Sequence, residues 1–175
     1  MKTYEVEITG TTGLLQNKMP DDLEVTEKRG EGKDCAEKAE GKLYKVGGKI
    51  VQPALTLENA LLKAATGIKQ RGMGKKTYKD LFKGSVFIKP EYIPHSIQKW
   101  EVHKTFCVIP STRGKITRFR PLLPNWKLSF NIEVLDDRLP TDVLKLALDE
   151  AGRTVGIGDW RPRFGRFVVS KFKEA

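Results

Sequence analysis

Cysteine, histidine and long apolar runs are all scarce in this chain. The two cysteines, Cys35 and Cys107, form no CxxC pair and have no histidines at ligand spacing, so neither a disulfide framework nor a zinc site is expected. No apolar run approaches the ~20 residues that span a bilayer. No charged-then-apolar leader precedes the first strand-like segment, so a reducing, cytoplasmic setting without a membrane is expected. There is no Walker motif, and Gly156 and Gly158 lack the preceding strand and following helix of a dinucleotide site, so no cofactor is expected. The only histidines, His95 and His103, stand beside no nucleophile motif. Asp136-Asp137 sits between a strand and a helix, where a turn uses aspartate for local reasons. The expectation is a protein that is not an enzyme.

What the chain does have is positive charge. Across 175 residues, 32 Lys and Arg face 22 Asp and Glu, a net charge of +10 with a pI near 9.6. An anionic partner follows, and nucleic acid is the commonest. The length suits a single domain, 1–175.

Periodicity gives the fold class. Tyr4, Val6 and Ile8 alternate with polar residues as a half-buried strand that leaves through Gly10-Thr11-Thr12-Gly13. From about 19 to 40 acids dominate and Gly30 and Gly32 loosen the chain, which reads as a mobile insertion with a short helix over Asp34 to Ala39. Gly47-Gly48 turns a small hairpin. Thr56 reads as the cap of a helix from Leu57 to Gln70. A strand around Val86 and Ile88 ends at Pro90, and Tyr92 to His95 reads as a loop. Glu101–Val108 and Lys115–Arg120 alternate as strands, with Arg118 and Arg120 on one face, before Pro121 and Pro124 interrupt. Trp126, Leu128, Phe130, Ile132 and Val134 mark the clearest strand. Thr141 is placed as the cap of a last helix that Gly152 ends, and a strand closes the chain from Arg166 to Phe172. The result is an α+β fold, a β-α-β-β-α-β core of ferredoxin-like or RRM-like type with an inserted hairpin and a C-terminal glycine-rich loop.

Basic residues gather in three places: Lys69 to Lys89 (with Lys75 and Lys76), Lys104 to Arg120 (with Arg113, Arg118 and Arg120), and Arg153 to Lys173. In the last, Gly156 and Gly158 are set beside Trp160, Arg161, Arg163 and Arg166, so that amides and guanidinium forks can meet phosphate. Phe119, Trp160, Phe164 and Phe167 interleave with the charge. Backbone-tracking charge with stacking platforms holds single-stranded nucleic acid. The plainer alternative is a basic protein whose aromatics are simply buried.

Three features resemble the RAMP superfamily of CRISPR effector complexes. They are the strand-one exit Ile8-Thr9-Gly10-Thr11-Thr12-Gly13-Leu14-Leu15, a helix after an inserted segment, and the run from Gly156-Ile157-Gly158-Asp159 to Phe164-Gly165-Arg166-Phe167. The last looks like the glycine-rich loop and closing strand of those RRM-like proteins. The resemblance is greatest to the backbone subunits that line up along a guide RNA, or to a free-standing, phage-encoded relative. It implies RNA rather than DNA as partner, and a homo-oligomer or a CRISPR-type complex as setting. Some RAMP members cleave RNA with a histidine near the first helix, and this chain has none there. Two alternatives stand beside non-catalytic binding: an endoribonuclease using His95 or His103, and a module that docks on a CRISPR complex.

Overall fold

The computed structural model describes residues 1–19, 35–108 and 111–175. Its elements begin with β1 (Lys2–Gly10), β2 (Leu14–Leu15), α1 (Cys35–Glu40), β3 (Lys45–Val46) and β4 (Lys49–Pro53). Then come α2 (Ala54–Ala65), α3 (Lys79–Ser85), β5 (Val86–Lys89) and β6 (Tyr92–Pro94). The chain continues through β7 (Glu101–Val108), β8 (Lys115–Leu123), β9 (Lys127–Val134) and α4 (Thr141–Glu150). A π-helical turn (Ala151–Val155) extends α4 before β10 (Phe167–Glu174).

The fold is α+β, and its central sheet is antiparallel with spatial order β10-β1-β9-β5. One face is apolar because the alternation is strict. Tyr4, Val6 and Ile8 of β1, Leu128, Phe130, Ile132 and Val134 of β9, and Val86 and Ile88 of β5 are all buried. Helices α2 and α4 supply the matching stripe with Leu57, Ala60, Leu61 and Ala64, and with Leu144, Ala147 and Leu148. Burying such a face is the dominant driving term in folding.

The opposite face carries ion pairs, with Phe87 of β5 exposed at its edge. Lys171 Nζ lies 2.9 Å from Glu5 and Lys127 Nζ lies 2.8 Å from Glu7. Two smaller sheets flank the main one, with orders β2-β8-β7 and β3-β4-β6. The Gly47-Gly48 turn joins β3 to β4 with φ of 56° and 76°, as the dipeptide predicts.

Several boundaries move. Helix α2 starts and stops before the expected Leu57–Gln70: Thr56 lies within its first turn, where its hydroxyl donates to the Pro53 carbonyl at 2.7 Å instead of capping. Thr141 does not cap α4 either, and its hydroxyl lies 2.7 Å from the Tyr4 hydroxyl. Gly152 is not a terminator but lies buried in the π-turn, where a Cβ would run into the Phe167 carbonyl. Gly156, at φ 71°, is the residue that ends the helix. The expected Tyr92 to His95 loop is strand β6, paired with β4, and β8 runs through Pro121 to Leu123. Helix α3 has no counterpart among the elements that periodicity predicts. Of the acidic insertion, residues 20–34 lie outside the described residues, and its end is α1, near the short helix expected there. Among the described residues no helix is long and apolar enough to cross a membrane.

Candidate nucleic-acid interface

Strands β7 and β8 pair along their length, with His103 opposite Arg120, Thr105 opposite Arg118, and Phe106 opposite Thr117. Directly opposed residues share a face, so His103, Thr105, Arg118 and Arg120 lie together. The other face carries Val102, Lys104, Phe106 and Val108, and Phe106 is 71% exposed.

The C-terminal loop closes onto the His103–Arg120 face. Arg120 Nε stands 2.6 Å from Asp159 Oδ2, with the two side chains 12% and 29% exposed. The His103 ring meets Phe164 edge-on at 5.2 Å and Trp160 at 6.2 Å between centroids. Trp160 and Phe164 touch each other at 5.6 Å, and the Arg163 guanidinium lies 5.6 Å from the Trp160 centroid, a cation–π pair. Desolvation, and then the charge of Arg120, lower the His103 pKa, so its imidazole is neutral at pH 7.

Inside this cluster polar groups are left over. The Arg120 and Asp159 atoms are close enough for an ion pair but not aligned for a hydrogen bond. Arg120 Nε and Asp159 Oδ2 are thus paired by charge alone, and Arg120 Nη1 and His103 Nδ1 are also buried without a hydrogen-bond partner. The only other such atoms among the described residues are the two ring nitrogens of His95.

The loop is anchored by its backbone. The Ile157 amide donates to Gly165 at 2.9 Å, Gly165 to Gly13 at 2.8 Å, Asp159 to Leu15 at 2.8 Å, and Gly156 to Ala151 at 2.8 Å. Arg166 donates its amide to the Thr12 hydroxyl at 3.0 Å. These amides serve the corner between the loop and the strand-one exit, so the loop faces outward with side chains. Its glycines are there for close approach. A Cβ on Gly158, at φ 80°, would run into the Leu15 carbonyl.

The structure joins some of the expected site residues and separates others. Arg118, Arg120, Trp160 and Arg163 belong to one continuous surface, with Arg161 exposed on the same loop. Arg113 is exposed at the turn of the β7–β8 hairpin, with φ 54°. Arg166 lies with Arg153 and Thr11 in a separate recess of about 420 Å³. Lys75 and Lys76 are farther away. Lys76 lines an open cleft of about 1220 Å³ with Arg71, Asp136 and Arg138, by the end of β9 that pairs with the start of β1. The loop sits at the other end of β1, ~25 Å away for nine residues of strand. Among the aromatics, Phe167 is core at 2% exposure, whereas Trp160 is 46% exposed. His103, Asp159 and Phe164 complete the cluster: Phe164 is among the aromatics that interleave with the charge in sequence, His103 reads there only as a candidate catalytic residue, and Asp159 is given no role. Only the register of β7 on β8 places His103 beside Arg120.

No family model matches the chain, and no curated protein matches it. A solved structure does. A chain from the cryo-EM structure of the Type III-B Cmr-beta bound to cognate target RNA superposes with a TM-score of 0.63 at 13% identity. The match covers 99% of the present chain and 60% of that one, so the protein spans well under two thirds of its neighbour and shares with it a fold.

Proposed function

We propose that the protein binds single-stranded nucleic acid, RNA in preference to DNA, without cleaving it. The interface would be the surface shared by the β7–β8 hairpin and the C-terminal loop. One observation carries this reading: the Arg120–Asp159 pair merges two basic clusters that are separate in sequence into one surface edged by an exposed tryptophan. Arginine forks suit phosphate, and an exposed indole suits a base. The likeness to a chain of an RNA-bound Cmr complex supports RNA as the partner. It also supports a RAMP-like relationship, whether as a subunit of a CRISPR-type complex, as a homo-oligomer, or as a phage-encoded, cytoplasmic relative. The β-α-β-β-α-β succession around the main sheet agrees with a ferredoxin-like core. Neither histidine is well placed for catalysis, since His95 is 3% exposed and His103 is flanked by Trp160 and Phe164.

The test is nucleic acid that co-purifies with the chain, read as absorbance at 260 against 280 nm and then digested with RNase or DNase. In the triple variant Arg118→Ala, Arg161→Ala, Arg163→Ala, the slope of log affinity against log salt should fall by roughly 0.7 for each phosphate that is no longer neutralised. An unchanged slope and affinity would move the site off this surface.

A further inference from the structure

Four of the six buried polar atoms that lack a hydrogen-bond partner among the described residues belong to one spot: Arg120 Nε and Nη1, Asp159 Oδ2 and His103 Nδ1. Arg120 Nε and Asp159 Oδ2 face each other as an ion pair at 2.6 Å, which leaves Arg120 Nη1 and His103 Nδ1 side by side in need of a partner, since buried polar groups are nearly always satisfied. The spot offers donors on a guanidinium, an acceptor on a carboxylate, and an imidazole nitrogen. Its neighbours are the flat rings of Trp160 and Phe164. Trp160 holds φ 53°, an outlier for a bulky residue and the kind of strain that gathers at ligand clamps.

Resting on the reading of this surface as an interface for single-stranded RNA, we infer that the Arg120–Asp159–His103 cluster is a base-reading pocket for guanine, closed over by Trp160 in the free protein. Because Asp159 already stands against Arg120, a bare phosphate would meet the arginine but be repelled by the aspartate, whereas a ligand with donors as well as acceptors suits both. Among the bases, guanine alone sets two N–H donors side by side, N1–H and the 2-amino group, which a carboxylate can accept together. Its adjacent O6 accepts from a guanidinium, the commonest specific interaction made with guanine. Trp160, turned out of its strained position, then stacks on the bound base. Arg118 and Arg163 hold the flanking phosphates, which position the strand without reading it.

The experiment uses the full chain and four fluorescein-labelled RNA decamers: all uridine, and uridine with one central guanosine, adenosine or cytidine. Affinity is measured by anisotropy at one fixed salt concentration. The guanosine decamer should bind about tenfold more tightly than the other three. In Asp159→Asn that advantage should vanish, so that all four decamers bind with one affinity, whatever the weakened Arg120 pairing does to that common value. Should that variant fail to fold, the wild-type series still decides. Equal binding of all four decamers, or a preference for adenosine or cytidine, overturns the guanine pocket and leaves the RNA-binding reading standing. Failure of every decamer to bind removes both.

Discussion

Arg120 of β8 and Asp159 of the C-terminal loop meet at 2.6 Å, and this ion pair fastens the hairpin to the loop. Arg120→Ala should destabilise the fold by roughly 1–3 kcal/mol, because it leaves a partly buried carboxylate without its counter-charge. Arg118→Ala, on the same face but exposed, should leave the melting temperature within error. Thermal denaturation of the two variants side by side checks the difference. Equal effects would mean that the ion pair does not hold the hairpin to the loop.

The glycines divide by what surrounds them. Gly47→Ala, at φ 56° with nothing within 4 Å, should cost only the conformational penalty of about 1–2 kcal/mol. Gly165→Ala has a comparable φ of 76° but would also drive its Cβ into the Ile157 carbonyl. Its destabilisation should exceed that of Gly47→Ala clearly, as read from urea midpoints. Matching midpoints would show that the corner rearranges freely.

Acid should weaken the fold through His95. This residue is 3% exposed, both ring nitrogens lack partners, and burial lowers its pKa to about 4 from 6.5. The neutral form is the one the folded state favours. The unfolded chain therefore takes up the proton first as pH falls, and stability drops between about pH 6.5 and pH 4. A shift of that size corresponds to roughly 3 kcal/mol, at 1.36 kcal/mol for each pKa unit. His95→Phe should flatten this limb while leaving stability at pH 7.5 little changed. An identical pH profile in the variant would assign the acid limb to other groups.

The two faces of the hairpin should behave differently. Phe106→Ser, on the face away from the loop, should leave RNA affinity and its salt slope as they are. Arg118→Ala should lower both. Electrophoretic mobility shifts over a salt series separate these outcomes. A large drop in affinity for Phe106→Ser would place the RNA track on the opposite face.

The main sheet is legible in the sequence wherever alternation is strict. Trp126, Leu128, Phe130, Ile132 and Val134 read as one buried row and are one. The short helix expected over Asp34 to Ala39 is likewise nearly in place as α1, Cys35–Glu40. Helix α3 is hidden because Lys79, Asp80, Lys83 and Gly84 leave only Phe82 and Ser85 buried, too few to set a period. The glycine corner is legible as a bend but not in purpose. The oxygens its glycines approach, on Leu15, Ile157 and Phe167, come partly from the opposite end of the chain. The interface is half legible for the same reason. Arg118 and Arg120 show a shared face by spacing, but nothing local says that Asp159, Trp160 and Phe164 will cover it.

The position of β1 also bears on the order in which the molecule is made. Both of its neighbours in the main sheet, β9 and β10, come from residues 127–134 and 167–174, so β1 emerges first and waits for the chain that completes it. Pairing over such separations is slow, and an unpaired strand is exposed to wrong partners while it waits. The strand-one exit is further fixed by Gly165 and Arg166. Nascent chains halted before residue 165 should therefore carry the hairpin but no finished interface, so that competence to bind waits for Gly165 and Arg166 to reach the strand-one exit.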